Sequence, residues 1–194
     1  MLGLSIPFFN EEAVAAEVLE NIIEALNAQD ISFYIAAVNN GSTDATGQIL
    51  NEMAKEHHRV KAIHLDKNAG YGGGILKGIE SLPKGKCEWM GWMWGDGQID
   101  PSILPSLIRH LTQSADLAKA YRVKRFDGWK RKGISRIYGS VMIRLGVSSP
   151  DVNGCPKLFK THAFEALNLS STDWFLDAEA LLKAQELGYA IWIG

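Results

Sequence analysis

The sequence predicts an α/β fold: a mainly parallel central sheet flanked by helices. Apolar runs of strand length alternate with helix-periodic stretches along most of the 194 residues, and that repetition marks a parallel sheet covered on both faces. Polar or glycine-rich turns follow the strand-like runs one after another. With 46% apolar and 22% charged residues, the chain has enough apolar material for a buried core and reads as an ordinary globular domain.

Each element has its own signal. Leu2 to Ile6 is a buried first strand, ended by Pro7. Asn10 is positioned to cap a helix whose first turn carries Glu11 and Glu12, charges suited to the positive end of a helix dipole. Val14, Val18, Ile22 and Leu26, with Leu19 and Ile23 beside them, give that helix one apolar face. Ile31 to Val38 is a second strand, and Asn39-Asn40-Gly41-Ser42 is a polar turn. Either Asp44 or Ser42 caps the next helix, which carries Ile49, Leu50, Met53 and Ala54. His57-His58 marks the end of that helix, where partial positive charge is favoured. Val60 to Leu65 is a third strand, followed by a glycine-rich turn and a short helix to about Ser81. Trp89 to Trp94 is a fourth strand, its tryptophans alternating with Met90 and Met93 as core packing.

Pro101 stands at a favourable first-turn position of a helix reaching Gln113, with Asp100 as its cap. Ala115 to Tyr121 is a fifth strand. Residues 122 to 133 are basic and irregular, and a helix from Ile134 to Leu145 follows them. An extended piece spans Cys155 to Lys160, and a last helix runs from about Asp173 to Leu187 with Gly188 as its stop. Ile191-Trp192-Ile193 begins a strand that the chain end cuts short. No repeat or linker interrupts the pattern, so residues 1 to 194 are expected to form one domain, incomplete at its C-terminus.

Several function classes are disfavoured at once. A net charge of −2 argues against nucleic acid, whose phosphates call for a basic excess. Cys87 and Cys155 are too few for a disulfide framework and lack metal-site spacing, which points to a reducing compartment. His57, His58, His64, His110 and His162 do not form a metal spacing either. No apolar run approaches the roughly 20 residues of a membrane-spanning helix, and the opening residues lack the pattern of a secretory signal. Membrane contact is therefore expected from the surface or from residues outside this sequence.

Ligands of open α/β sheets bind beyond the carboxyl ends of the strands. The unusual residues collect there: Pro7 to Glu11, Asn39 to Asp44, Asn68 to Gly74, and Gly95 to Asp100. A dinucleotide fold would carry its glycine fingerprint after the first strand, where this chain has Pro7-Phe8-Phe9-Asn10-Glu11-Glu12. Its glycine run, Gly70 to Gly74, follows the third strand instead, and no Walker phosphate loop is present.

Ile6-Pro7-Phe8-Phe9-Asn10-Glu11-Glu12 resembles the opening P-x-Y-N-E-E of family-two glycosyltransferases of the GT-A fold. Val38 to Asp44 is similar to their V-D-D-G-S-T-D turn, Asn68 to Gly72 to their N-x-G-x-G segment, and Asp96 to Pro101 to the end of D-x-D-G-Q-x-D-P. Tyr121 to Arg125, with Arg131 and Ser135, resembles the loop of the dolichol-phosphate mannosyltransferase branch; Asp151 to Lys160 and Asp177-Ala178-Glu179 resemble its later segments.

The resemblance implies a hexosyltransferase that uses a nucleotide-diphosphate sugar as donor and a polyprenyl phosphate as acceptor. It further implies action at the membrane surface, on its cytoplasmic face. A homo-oligomer is left open. Pro7, Phe9, Glu11, Asn39, Asn40, Gly41 and Ser42 would hold the nucleoside, with Asn68 and Gly70 near the ribose and diphosphate. Asp44 reads better as a cap than as a ligand group, whereas Tyr71, Gly73 and Gly74 read equally well as a flexible turn. Asp96, with Gln98 beside it, would hold Mg²⁺ or Mn²⁺ against the diphosphate, since hard cations favour oxygen donors. Arg122, Arg125 and Arg131 would take phosphate oxygens, against the rival reading of a solvated basic loop. Asp177 and Glu179 would orient the acceptor, or serve as cap and surface charges. A phosphate acceptor is already ionised and needs no general base; a sugar hydroxyl acceptor would need one, such as Asp177.

Three acidic positions of the family pattern differ here. Asn39 and Asn40 replace paired aspartates, and Trp94 stands where the first aspartate of D-x-D is expected. Asparagine keeps the shape and adds donors. Tryptophan cannot ligate a metal, so weaker metal use is expected, and a non-catalytic nucleotide-sugar-binding relative is the alternative.

Overall fold

The computed structural model describes residues 1–121, 149 and 151–194. Their strands are β1 (Leu2–Phe8), β2 (Phe33–Asn39), β3 (Val60–His64), β4 (Trp89–Trp92), β5 (Leu117–Lys119), β6 (Lys157–Lys160) and β7 (Ile191–Ile193). They form one sheet in the order β3-β2-β1-β4-β6-β5-β7. Pairing is parallel from β3 through β4 and between β5 and β7; β6 alone among the described strands runs antiparallel to its neighbours, β4 and β5. The expected mainly parallel sheet is therefore present, with one reversed strand that the short apolar run at Lys157–Lys160 could not announce.

Alternation along β1 divides the core. Leu2, Leu4, Ile6 and Phe8 are buried on the face covered by α1 (Ala15–Asn27), α2 (Thr46–Glu56) and α4 (Leu104–Gln113). The opposite face receives α3 (Tyr71–Glu80), α5 (Thr161–Leu167) and α6 (Leu176–Glu186) over Ile75, Trp92, Phe159 and Leu176. Small residues bring α3 close to this face: the Ser5 hydroxyl donates to the Ile75 carbonyl at 2.9 Å, and a side chain at Gly78 would collide with Ser5.

Some expected boundaries move. Asn10 does not cap α1: its φ is 56° and its side chain is engaged elsewhere, so the helix starts at Ala15 after a turn in which Glu11 accepts from the amides of Val14 and Ala15. The expected apolar face holds, with Val18, Leu19, Ile22, Ile23 and Leu26 buried. The glycines after β3 lie mostly inside α3 rather than in a turn ahead of it. β4 stops at Trp92, because beyond Met93 the chain bends where Gly95 lies against Phe8 and the Pro7 carbonyl. Asp100 does cap, accepting from the Ser102 amide at 2.9 Å, although the first turn, Pro101–Ile103, is a 3-10 turn. α5 had no sequence expectation, and α6 begins later than expected, at Leu176. The helix expected from 134 to 145 lies outside the described residues.

Candidate functional site

The loops beyond the strands' carboxyl ends are tied into one rim. The Asn10 amide donates to the Ser42 hydroxyl (3.0 Å), the Asn10 side-chain oxygen accepts from the Thr43 amide (2.8 Å), and Glu12 accepts from the Ala45 amide (2.8 Å). Asp44 accepts from the amides of Thr46 and Glu12, bonds that outweigh its desolvation and hold its carboxyl below the usual range. The next loop is joined through Asn40, which is only 4% exposed. Its side-chain nitrogen donates to Asn68 Oδ1 and the Gly70 carbonyl, and its oxygen accepts from the Ala69 amide. Gly41, at φ 74°, has no room for a side chain against the backbone of Lys67 and Asn68. Asn39 sits beside this bracket, accepting from the Ser42 amide and contacting His64 at 3.3 Å.

Across the rim the β4 loop brings in Asp96, whose Oδ1 accepts from the Gln98 amide at 3.1 Å. Partial burial, then the charges of Asp96 and Asp44, push the Glu11 carboxyl above its ordinary range. Asp96 and Glu11 therefore share one electrostatic environment. The Trp94 indole N–H donates to the Tyr71 hydroxyl at 2.9 Å, and the Tyr71 ring stacks on Trp174 with centroids 4.2 Å apart. Burial first, then the neighbouring Asp177 charge, pushes the Tyr71 phenol well above its ordinary range, so it remains a neutral partner.

Residues 168–175 form a strap across the start of α3. Thr172 accepts from the Gly73 amide at 2.9 Å, and its carbonyl would lie 2.5 Å from a Cβ added at Gly70, where φ is 82°. Glu179 fastens the strap from α6, accepting from the amides of Ser170 and Ser171 and from Lys183 at 2.7 Å. Desolvation opposes ionisation there, but these bonds outweigh it and hold the Glu179 carboxyl down to about 2. Beneath the strap, Asp177 accepts from Lys157 at 2.6 Å and from the Trp92 indole, and both Lys157 and Asp177 are fully buried.

Residues 4–168 match Glycosyl transferase family 2. The chain belongs to that family. An undecaprenyl-phosphate 4-deoxy-4-formamido-L-arabinose transferase of Edwardsiella ictaluri is 29% identical over 155 residues, covering 79% of this chain and 47% of that protein. This family-two chain thus spans about half the length of such relatives. A mannosyltransferase of Pyrobaculum calidifontis, solved with GDP-Man and Mn²⁺, superposes with a TM-score of 0.70 at 18% identity, over 100% of this chain and 54% of that one. Glucosyl-3-phosphoglycerate synthase of Mycobacterium tuberculosis, solved with Mn²⁺, UDP and phosphoglyceric acid, gives 0.71 at 16% identity, over 100% and 67%. The fold is GT-A.

Within the family-two domain, the structure brings Pro7, Phe9, Glu11, Asn39, Asn40, Gly41, Ser42, Asn68, Gly70, Asp96 and Gln98 to one edge of the sheet. Asn40 turns its side chain into the neighbouring loop rather than outward. Asp177 and Glu179 are not surface charges: both are buried, one in an ion pair and one in the strap anchor. Arg122, Arg125 and Arg131 lie outside the described residues. Among the described residues no cluster of three or more His, Cys, Asp or Glu side chains could hold a metal. Trp94, an indole bonded to Tyr71, offers no metal ligand, so the described donor set fits a cation held by one carboxylate and mainly by a ligand's phosphates, an arrangement Mg²⁺ tolerates.

Trp174 and Thr172 beside the candidate site carry no sequence expectation as site residues, whereas Tyr71, open between a ligand contact and a flexible turn, lies in the first turn of α3 and stacks on Trp174. The cluster Ser170-Ser171-Thr172-Asp173 ahead of an aromatic pair was the available signal for a built loop rather than a helix start.

Proposed function

We propose that this chain carries the donor-binding and transfer site of an enzyme that moves a hexose from a nucleoside-diphosphate sugar to a polyprenyl phosphate, by in-line inverting displacement. One observation carries the reading: the loops after β1, β2, β3 and β4 gather at one edge of the sheet, the first three cross-tied by Asn10, Asn40 and Asn68 and the fourth carrying Asp96. Pro7, Phe9, Glu11 and the 39–42 turn would hold the nucleoside, while Asn68 and Gly70 would lie along the ribose and diphosphate. Arg122 and Arg131 would neutralise phosphate charge.

The acceptor phosphate is ionised at neutral pH and attacks without a general base, consistent with Asp177 being used in an internal ion pair. Mg²⁺ or Mn²⁺, held by Asp96 with Gln98, would supply charge neutralisation on the departing diphosphate. The polyprenyl acceptor places the reaction at a membrane surface, on its cytoplasmic face in this reading. No described helix is long and apolar enough to cross a membrane.

The test is transfer from labelled uridine- and guanosine-diphosphate sugars to a short polyprenyl phosphate by the whole protein. Asp96→Asn is expected to lower transfer about 100-fold or more, with a melting temperature that does not fall, because the one hydrogen bond shown for Asp96 is a local turn contact and its charge repels Glu11. No glycosyl lipid from any donor would overturn the reading. Tight donor binding without turnover would instead favour a non-catalytic relative, a reading motivated by Trp94 at the family's metal-ligand position.

A further inference from the structure

Exposed large apolar side chains gather at the site's edge of the sheet. Phe9 follows β1, Tyr121 follows β5, and the strap carries Trp174 and Phe175, whereas Leu187 lies at the opposite end of α6. Trp174 is 60% exposed yet firmly held. Its ring lies within 9° of parallel to Tyr71, whose hydroxyl is fixed by Trp94, two residues before Asp96. The strap behind it is anchored by Glu179 and by the bond from Gly73 to Thr172, and Asp173 accepts from the Phe175 amide at 2.9 Å. An exposed indole whose ordering cost is met by the fold is a preorganised contact surface.

The chemistry of that surface narrows its ligand. Much of the strap's backbone polarity near Trp174 is used internally, by Glu179, Gly73 and Asp173, while the side chains of Thr172 and Asp173 remain exposed beside the ring. The outward rings of Trp174 and Phe175 offer a flat apolar face that could take hydrocarbon or the apolar face of a sugar ring, and the lipid-acceptor reading above selects hydrocarbon. We propose that Trp174, backed by Tyr71, seats the isoprene units nearest the phosphate of the lipid acceptor. This rests on the polyprenyl-phosphate reading above and assigns the contact that selects the lipid tail.

The test compares the wild-type protein with Trp174→Ala and Trp174→Phe, using farnesyl phosphate and inorganic phosphate as probes, by direct binding and by transfer. Trp174→Ala is expected to weaken farnesyl phosphate binding about tenfold, raising its KM while leaving kcat, the donor KM and inorganic phosphate binding unchanged. Trp174→Phe, which keeps a flat ring, is expected to recover most of the loss. Unchanged farnesyl phosphate affinity in Trp174→Ala overturns the assignment, as does an equal loss for inorganic phosphate. Weaker binding to phosphatidylcholine vesicles with farnesyl phosphate affinity intact also overturns it, by assigning the ring to the bilayer. If wild-type protein neither binds farnesyl phosphate nor glycosylates it, the lipid-acceptor reading itself fails; if it does both and Trp174→Ala matches it, only the seat fails.

Discussion

On the β3-β2-β1 side, the ligand-edge loops are tied mainly by uncharged amides and hydroxyls: Asn10 to Thr43, Asn39 to Ser42, and Asn40 to Asn68, Ala69 and Gly70. The carboxylates of Glu12 and Asp44 add bonds only at the exposed margin. On the β4-β6-β5 side, the matching work is done by buried charge. Lys157 meets Asp177 and the Gly154 carbonyl, and Lys119 meets Ser149 and the Asp151 carbonyl, with both lysines at 0% exposure. Neutral brackets cost little to desolvate and hold shape locally. Buried ions cost several kcal/mol each to desolvate, and removing one member of a pair leaves the other uncompensated. The β3-β2-β1 rim should therefore lose stability in modest steps when altered, and the opposite half in large ones.

The sharpest way to break that contrast is to remove one member of the buried pair. Lys157→Met or Asp177→Asn alone is expected to cost about 3–5 kcal/mol, read from urea unfolding midpoints, while the double variant Lys157→Met/Asp177→Leu regains most of it. A single variant costing less than about 1 kcal/mol would erase the distinction. Next in size is Asn40→Asp, which installs the family's usual residue. It keeps the acceptor for the Ala69 amide but turns both donor contacts, to Asn68 Oδ1 and the Gly70 carbonyl, into oxygen against oxygen. A loss of about 2 kcal/mol is expected in the same assay.

The smallest effect runs the other way. Glu11 is pushed above its ordinary 4.5 by burial, then by Asp96 and Asp44, so the folded chain holds that proton more tightly than the unfolded one. Its contribution to stability is complete below the ordinary value and is lost as pH rises through the raised one. Glu11→Gln removes the repulsion and is expected to stabilise by ~0.5 kcal/mol at neutral pH, with no gain once the pH is below the ordinary value of 4.5. A destabilised Glu11→Gln at neutral pH would show that the carboxylate pair is not a net cost.

The same division explains what could be read before the coordinates. The alternation of Leu2, Leu4, Ile6 and Phe8, the apolar face of α1 and the Asp100-Pro101 start are local patterns, and local patterns survive folding. The gathering of Pro7, Asn39, Asn68 and Asp96 at one edge followed from parallel topology alone. The buried half was less legible. Nothing local distinguishes Asp177, fully buried against Lys157, from the helix-start charge that its neighbours suggest, because the partner lies 20 positions away on a reversed strand. Asn10 misled for a related reason: the side chain that favours a cap is equally able to accept from Thr43 on another loop.

The glycines at 72, 73, 74 and 78 carry one more implication. Each lowers the intrinsic helicity of α3 by about 1 kcal/mol relative to alanine, so α3 is a poor helix left to itself. It exists because Ser5, Asn40 and the carbonyls of residues 171–173 close in on a backbone thin enough to admit them. During synthesis, residues 71–80 would emerge long before that strap and stay uncoiled until it arrived, leaving this side of the candidate site among the last parts of the domain to set.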